Sequence, residues 1–166
     1  MRLLYPTLYL PSIACLQPEQ LQRWGVRGLI LDVDNTLTTH DNPVPHPEVQ
    51  RWLEVMRQAG VSMIILSNNH PPRVKPFAEL LGLPFTADAA KPLPKGFRRA
   101  ARELNLPKEQ IAVVGDQIFT DVLGGNLFGA KTVLLQPIQP ESTWFFRLKR
   151  RLEKGILRNY KANNNY

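Results

Sequence analysis

The chain has 166 residues, about one domain's length. Apolar residues make up 43% and charged residues 21%, which excludes a wholly disordered chain, and no apolar run approaches the roughly 18 residues needed to cross a bilayer. The formal net charge is +7, and residues 141–166 hold seven basic side chains against two acidic ones. A near-neutral body therefore ends in a basic tail, which implies an anionic partner.

The first 16 residues are apolar, but Pro6 and Pro11 interrupt them, so no signal-length core forms. They read as a packed N-terminal arm leading into a helix near Pro18–Trp24. Residues 28–34 (Gly-Leu-Ile-Leu-Asp-Val-Asp) form a short apolar run ending in acid, the pattern of a buried parallel strand. A proline-rich loop follows over 43–47. Helical spacing through Val49, Trp52, Leu53 and Met56 predicts a helix over 48–59, stopped by Gly60. Residues 61–66 form a second buried strand, ending at Ser67-Asn68-Asn69. A helix over 74–81 closes at Gly82, a short strand covers 85–87, and another helix runs over 95–104. Residues 111–114 make a third strand, ending at Gly115-Asp116. A helix over 120–128 closes at Gly129, and 131–135 make a fourth main strand. Strands alternating with helices imply right-handed crossovers and an α/β fold, a parallel sheet with helices on both faces.

Asp32, Asp34, Ser67 and Asp116 all follow the C-terminal ends of predicted strands, the edge at which ligands bind in such sheets. Two carboxylates two residues apart at a strand end are costly to bury without a cation or a proton. A hard divalent cation such as magnesium suits them, with Asp116 and Asp121 supplying more oxygen. One carboxylate can attack phosphorus to form an aspartyl-phosphate, while another protonates the leaving alkoxide and later activates water. Ser67 and the amides after it can hold phosphoryl oxygens, and Asn68 is a further phosphate contact. Lys91, ahead of Pro92, is a cation suited to offset charge on the nucleophile and the phosphoryl group. Asn35, Asn69 and, as its alternative, Asn68 read as turn caps. His40, His46 and His70 lack metal-ligand spacing and read as surface residues. Cys15, alone in the chain, forms no internal disulfide or cysteine-built zinc site and fits a reducing compartment.

These segments resemble the four ordered motifs of the haloacid dehalogenase superfamily: Asp32-x-Asp34-x-Thr36, the strand-end Ser67, Lys91, and Gly115-Asp116 with Asp121. The resemblance covers roughly residues 25–136 and implies a Rossmann-like fold. It makes Asp32 the nucleophile and Asp34 the general acid/base. It puts magnesium on Asp32, the Asp34 backbone carbonyl and Asp116, with Thr36 and Asp121 in support. The second aspartate of the first motif favours a phosphatase over a dehalogenase.

Between Thr36 and Ser67 lie 30 residues, and between Ser67 and Lys91 lie 23, lengths that leave no room for a cap domain. An open site suits bulky substrates. In the tail, Trp144, Leu148, Leu152, Ile156 and Tyr160 recur every four residues with Phe145 beside them, while Arg147, Arg151, Lys154, Arg158 and Lys161 mark another face; Ser142 is positioned as a cap. Such a basic amphipathic helix can lie in a lipid headgroup layer, or its apolar stripe can pack on the domain. The body shows no wider basic face, so no nucleic acid is expected.

Within the superfamily, Leu31 to Leu37, Ser67-Asn68-Asn69, Lys91-Pro92, Gly115 to Asp121 and the segment from Pro6 to Ile13 are similar to the capless YqeG-type group of its subfamily IIIA. The mitochondrial and photosynthetic relatives of that group are phosphatidylglycerophosphate phosphatases. The resemblance implies hydrolysis of that anionic phospholipid at a membrane surface by a cytoplasmic, peripherally bound enzyme. The alternatives are the same chemistry on a nucleotide, a nucleic-acid end or a phosphoprotein, or a binding module without catalysis. The expected organisation is an arm over 1–24, a catalytic domain over 25–140 and the tail over 141–166.

Overall fold

The computed structural model describes residues 2–39, 42, 44–139 and 144–164. His40 and the cap expected at Ser142 lie outside them, as do the side chains of Phe145 and Lys161. In chain order the elements are β1 (Leu8–Leu10), α1 (Pro18–Trp24), β2 (Gly28–Leu31), α2 (Pro47–Gln58), β3 (Ser62–Leu66), α3 (Pro71–Leu81), β4 (Phe85–Thr86), α4 (Pro94–Leu104), β5 (Ile111–Gly115), α5 (Leu123–Phe128), β6 (Lys131–Leu135) and α6 (Trp144–Asn164). The strands form one six-stranded sheet in the order β1-β6-β5-β2-β3-β4. Every pairing is parallel.

Strand alternation sorts the core into two layers. Leu29 and Leu31 of β2 share one cluster with Val49, Trp52, Leu53 and Met56 of α2 and with Val74 and Phe77 of α3. Ile30, between them in sequence, faces the opposite cluster with Phe97, Ala100 and Ala101 of α4. Burial on both faces explains why the strands read as continuous apolar runs.

Helix starts fall earlier than hydrophobic spacing alone suggests. α2, α3 and α4 begin at Pro47, Pro71 and Pro94. Proline suits the first helical turn because its missing N–H would have no intrahelical partner there. Left-handed residues at Gly25, Gly82, Asn105 and Gly129 follow and close α1, α3, α4 and α5.

Two elements differ from the sequence reading. The N-terminal arm adds β1 to the sheet edge, pairing Leu8 with Val133 and Leu10 with Leu135. Three residues between prolines give too short a pattern to identify a strand; its partner supplies the order. The expected helix over 120–128 is interrupted: Ile118–Val122 form a π-turn before α5.

The expected tail helix forms as α6 and packs on the body at its C-terminal half. Ile156 and Leu157 lie against Ile118, Val122 and Leu134, and the Tyr160 ring sits 5.8 Å from that of Tyr5. The N-terminal half of the stripe stays exposed, Trp144 at 75%, Leu148 at 50% and Leu152 at 58%.

Candidate active site

The order of the sheet places the site. From β2 the chain moves outward to β3 on one side, then returns to β5 on the other, so the connections diverge between β2 and β5. A crevice forms at such a divergence, beyond the carboxyl ends of the strands. Leu31 pairs with Val114, and the Asp32 amide donates to the Val114 carbonyl at 2.9 Å. Asp32 and Asp116 therefore emerge side by side.

Three carboxylates converge there. Asp32, Asp116 and Asp121 each present an oxygen, all within 4.8 Å of one another. Lys91 Nζ donates to Asp32 Oδ1 at 2.6 Å and to Asp121 Oδ1 at 2.7 Å. This cation keeps two neighbouring anions from facing each other unpaired in a buried place. Thr36 Oγ1 lies 3.4 Å from Asp32 Oδ2 as donor.

Asp121 owes its position to the π-turn and to Gly115. One carboxylate oxygen accepts from the Gln117 amide at 3.2 Å, across the turn. A Cβ on residue 115 would lie 2.3 Å from Asp121 Cγ, so the glycine in the Gly-Asp pair makes room for a carboxylate. π-turns recur at functional sites for this kind of re-aiming.

The second motif organises its neighbours. Ser67 is buried, and its Oγ accepts from the Asn69 amide at 3.1 Å. Asn68, expected to touch phosphate, has its side chain occupied otherwise: it donates to the Lys91 carbonyl at 3.2 Å and accepts from the Lys91 amide at 2.7 Å. It clamps the segment that carries the lysine. Asn69, expected as a turn cap, instead donates to Asp34 Oδ2 at 2.5 Å, and Arg73 donates to Asp34 Oδ1 at 2.9 Å. These bonds fix the Asp34 side chain, which is not one of the three carboxylates of the cluster.

Arg150 was not legible as a site residue. From α6 its guanidinium pairs with Asp116 Oδ2 and with the Asp116 carbonyl, and it reaches Glu153 Oε2 at 2.9 Å. Glu153 in turn accepts from the Ile118 amide at 2.8 Å, and Lys149 donates to Gln117 Oε1 at 2.6 Å. Sequence spacing marks these only as charges on a helix. His46 caps α2 by accepting from the Glu48 amide at 3.3 Å, and His70 lies 2.6 Å from Asp88.

Burial pushes Asp32 up to about 6, with Lys91 pulling the other way. Burial likewise drives Asp116 well above the usual carboxylate range despite Arg150. For Lys91 burial lowers the value, but Asp121 and Asp32 outweigh it and hold the ammonium above its ordinary range. In metal-free protein the folded state keeps a proton on Asp32 that the unfolded chain releases nearer its ordinary 3.8. That contribution to stability is present at low pH and is lost as pH rises through about 6. Urea unfolding in chelator should show the wild type losing more stability between pH 4 and 7 than Asp32→Asn, with about 4 and 7 bracketing the two titrations.

The donor set is all oxygen, and among the described residues Asp116 Oδ1 is buried without a hydrogen-bond partner. A buried carboxylate oxygen left unpaired among acids suits a hard divalent cation.

Fold and site together define a parallel α/β domain that carries a buried cluster of three carboxylates and a lysine beyond the carboxyl ends of its strands. A model of the haloacid dehalogenase-like hydrolases matches residues 29–129, and the chain belongs to that family. It is 42% identical over 152 residues to the probable phosphatase YqeG of Bacillus subtilis, covering 92% of this chain and 88% of that one. It is 31% identical to the chloroplastic phosphatidylglycerophosphate phosphatase 1 of Chlamydomonas reinhardtii, covering 80% of this chain but only 53% of that protein. Among solved structures, the deoxy-D-mannose-octulosonate 8-phosphate phosphatase of Haemophilus influenzae superposes with a TM-score of 0.55 at 15% identity, over 82% of this chain and 90% of the other, which is likeness of fold. Among the described residues no helix is long and apolar enough to cross a membrane.

Proposed function

We propose that the chain is a magnesium-dependent phosphatase that converts phosphatidylglycerophosphate to phosphatidylglycerol and inorganic phosphate. As a member of its family the chain is a phosphomonoester hydrolase. The observation that carries the chemistry is the Lys91 ammonium set between Asp32 and Asp121, beside Asp116. The relatives supporting the lipid include the chloroplast enzyme named above.

Asp32 attacks phosphorus through a carboxylate oxygen, the P–O bond to the alcohol breaks, and Asp34 gives the leaving alkoxide its proton. Asp34 then takes a proton from water, whose oxygen attacks the aspartyl-phosphate and returns Asp32 as carboxylate. Ser67 and the amides after it hold the transferring oxygens, and Lys91 balances the charge that builds on them. Asn69 and Arg73 hold Asp34 in place for both proton transfers. Asn68 acts as a positioning residue, through the Lys91 backbone. Magnesium bound by Asp32, the Asp34 carbonyl and Asp116 would supply charge neutralisation at phosphorus.

Arg150 acts on this centre by fixing one oxygen of Asp116 and leaving the other to the metal. Partners that orient a ligand carboxylate typically contribute about 10- to 100-fold in metal affinity. Calorimetric titration of magnesium into metal-free Arg150→Ala should show a loss of that order. A gain in affinity would mean that the guanidinium competes with the ion.

The lipid reading is tested by phosphate release from phosphatidylglycerophosphate in mixed micelles, set beside soluble phosphomonoesters, nucleotides and a phosphopeptide. Preference for the phospholipid is expected. Turnover of soluble esters with none of the lipid would overturn it.

A further inference from the structure

A groove lies between α6 and the β1–β6 edge of the sheet. Its volume is about 800 Å³, within the range of small-molecule sites, roughly 300–1,000 Å³. The floor is apolar, made by Tyr9, Ile118, Leu134 and Leu135, and Leu148 and Trp144 form the wall. Arg147, Arg151 and Lys154 stand on the same lining and are exposed. The lining also includes Asp116, a member of the carboxylate cluster, and Arg150, which is paired with it, so the groove adjoins the carboxylate centre.

The charges favour one class of occupant. Apart from Asp116, the acid of this lining is Glu153, and it is engaged by Arg150 and by the Ile118 amide. The exposed rim charges are cationic, above a floor that gains by covering apolar surface. An anionic headgroup joined to a hydrocarbon chain meets both conditions, whereas a soluble sugar phosphate or nucleotide leaves the floor wet.

We propose that this groove seats the part of the substrate that is not transferred: the phosphodiester against Arg147, Arg151 and Lys154, and the first stretch of an acyl chain against Leu134, Leu135 and Leu148. This rests on the lipid reading above and adds where selectivity for the lipid resides. The terminal phosphomonoester lies at Asp32 while the diester and chain extend along α6. The helix therefore works as one wall of the substrate site.

Two measurements test it. The first is the ratio of kcat/KM for long-chain phosphatidylglycerophosphate to that for a small water-soluble phosphomonoester. Leu148→Glu puts an anion on the wall and should lower this ratio about tenfold or more. Val55→Glu, an exposed apolar position on α2, should leave it alone. The second is Trp144 emission during titration with short-chain phosphatidylglycerol below its critical micelle concentration. A blue shift is expected in the wild type, absent in Leu148→Glu and in Trp144→Phe. An unchanged ratio in Leu148→Glu, or no emission shift, overturns the groove assignment while the lipid reading stands on wild-type turnover. A clear emission shift in an enzyme that turns over only soluble esters would retain the groove as an anionic-lipid site and overturn the lipid substrate instead.

Discussion

Replacement of Asp32 by Asn is expected to lower turnover by at least about 10⁴-fold, the scale seen when a covalent nucleophile is removed, while the protein stays folded. The amide keeps the shape of the carboxylate but has no charged oxygen to donate to phosphorus. The fold should not suffer, because Asp32 is a cost to it as an anion. Burial pushes the carboxyl up to about 6 against the pull of Lys91. Lys91 keeps Asp121 as a partner at 2.7 Å when the Asp32 charge is gone, so no buried cation is left alone. Thermal melting of metal-free protein should therefore fall at or above the wild-type midpoint, and phosphate release should sit at background. Activity within tenfold of wild type would remove Asp32 from the nucleophile's role.

The opposite balance holds at Lys91. Lys91→Met takes away the cation shared by Asp32 and Asp121, both of which lie in the buried cluster with Asp116. Breaking a buried ion pair from one side costs about 3–5 kcal/mol, because the charge left behind has neither water nor partner. Urea unfolding of the metal-free variant at neutral pH should show a loss of this size. Acidification should recover part of it, as the abandoned carboxylates take up protons, and a divalent cation should recover part of it at neutral pH. Turnover should fall as well, by roughly 10²- to 10³-fold, since the transferring phosphoryl group loses a fixed cation. A variant as stable as wild type at neutral pH in chelator would show that the two carboxylates do not need the ammonium.

The first of these expectations concerns a residue that the chain announces openly. Asp32, Asp116 and Ser67 stand at the ends of apolar runs, and in a parallel sheet such ends share an edge, so their meeting follows from strand direction alone. Lys91 and Asp121 are different. Their place in an ordered set of motifs is visible, but the contact between them depends on a π-turn that interrupts an otherwise helical pattern. Gly115 matters for the same reason: its missing side chain is the space that Asp121 fills. Asn68 and Asn69 show how far residue type can mislead. Two adjacent amides after a strand suit phosphate or a turn equally well, and the fold sends one to the Lys91 backbone and the other to Asp34.

The amino-acid order by itself determined the parallel α/β layering, the carboxylate-bearing edge and the hydrolytic chemistry, because burial on both faces and strand polarity are written in local patterns of one to two turns or one strand. It also marked residues 141–166 as a basic segment with an apolar stripe at helical spacing. Only the tertiary structure decided that Leu8–Leu10 join the sheet, that Ile156, Leu157 and Tyr160 dock while Trp144, Leu148 and Leu152 stay outside, and that Arg150 reaches Asp116. Each of those depends on two segments separated by tens of residues or more finding one another, and no spacing within either segment encodes which partner it will meet.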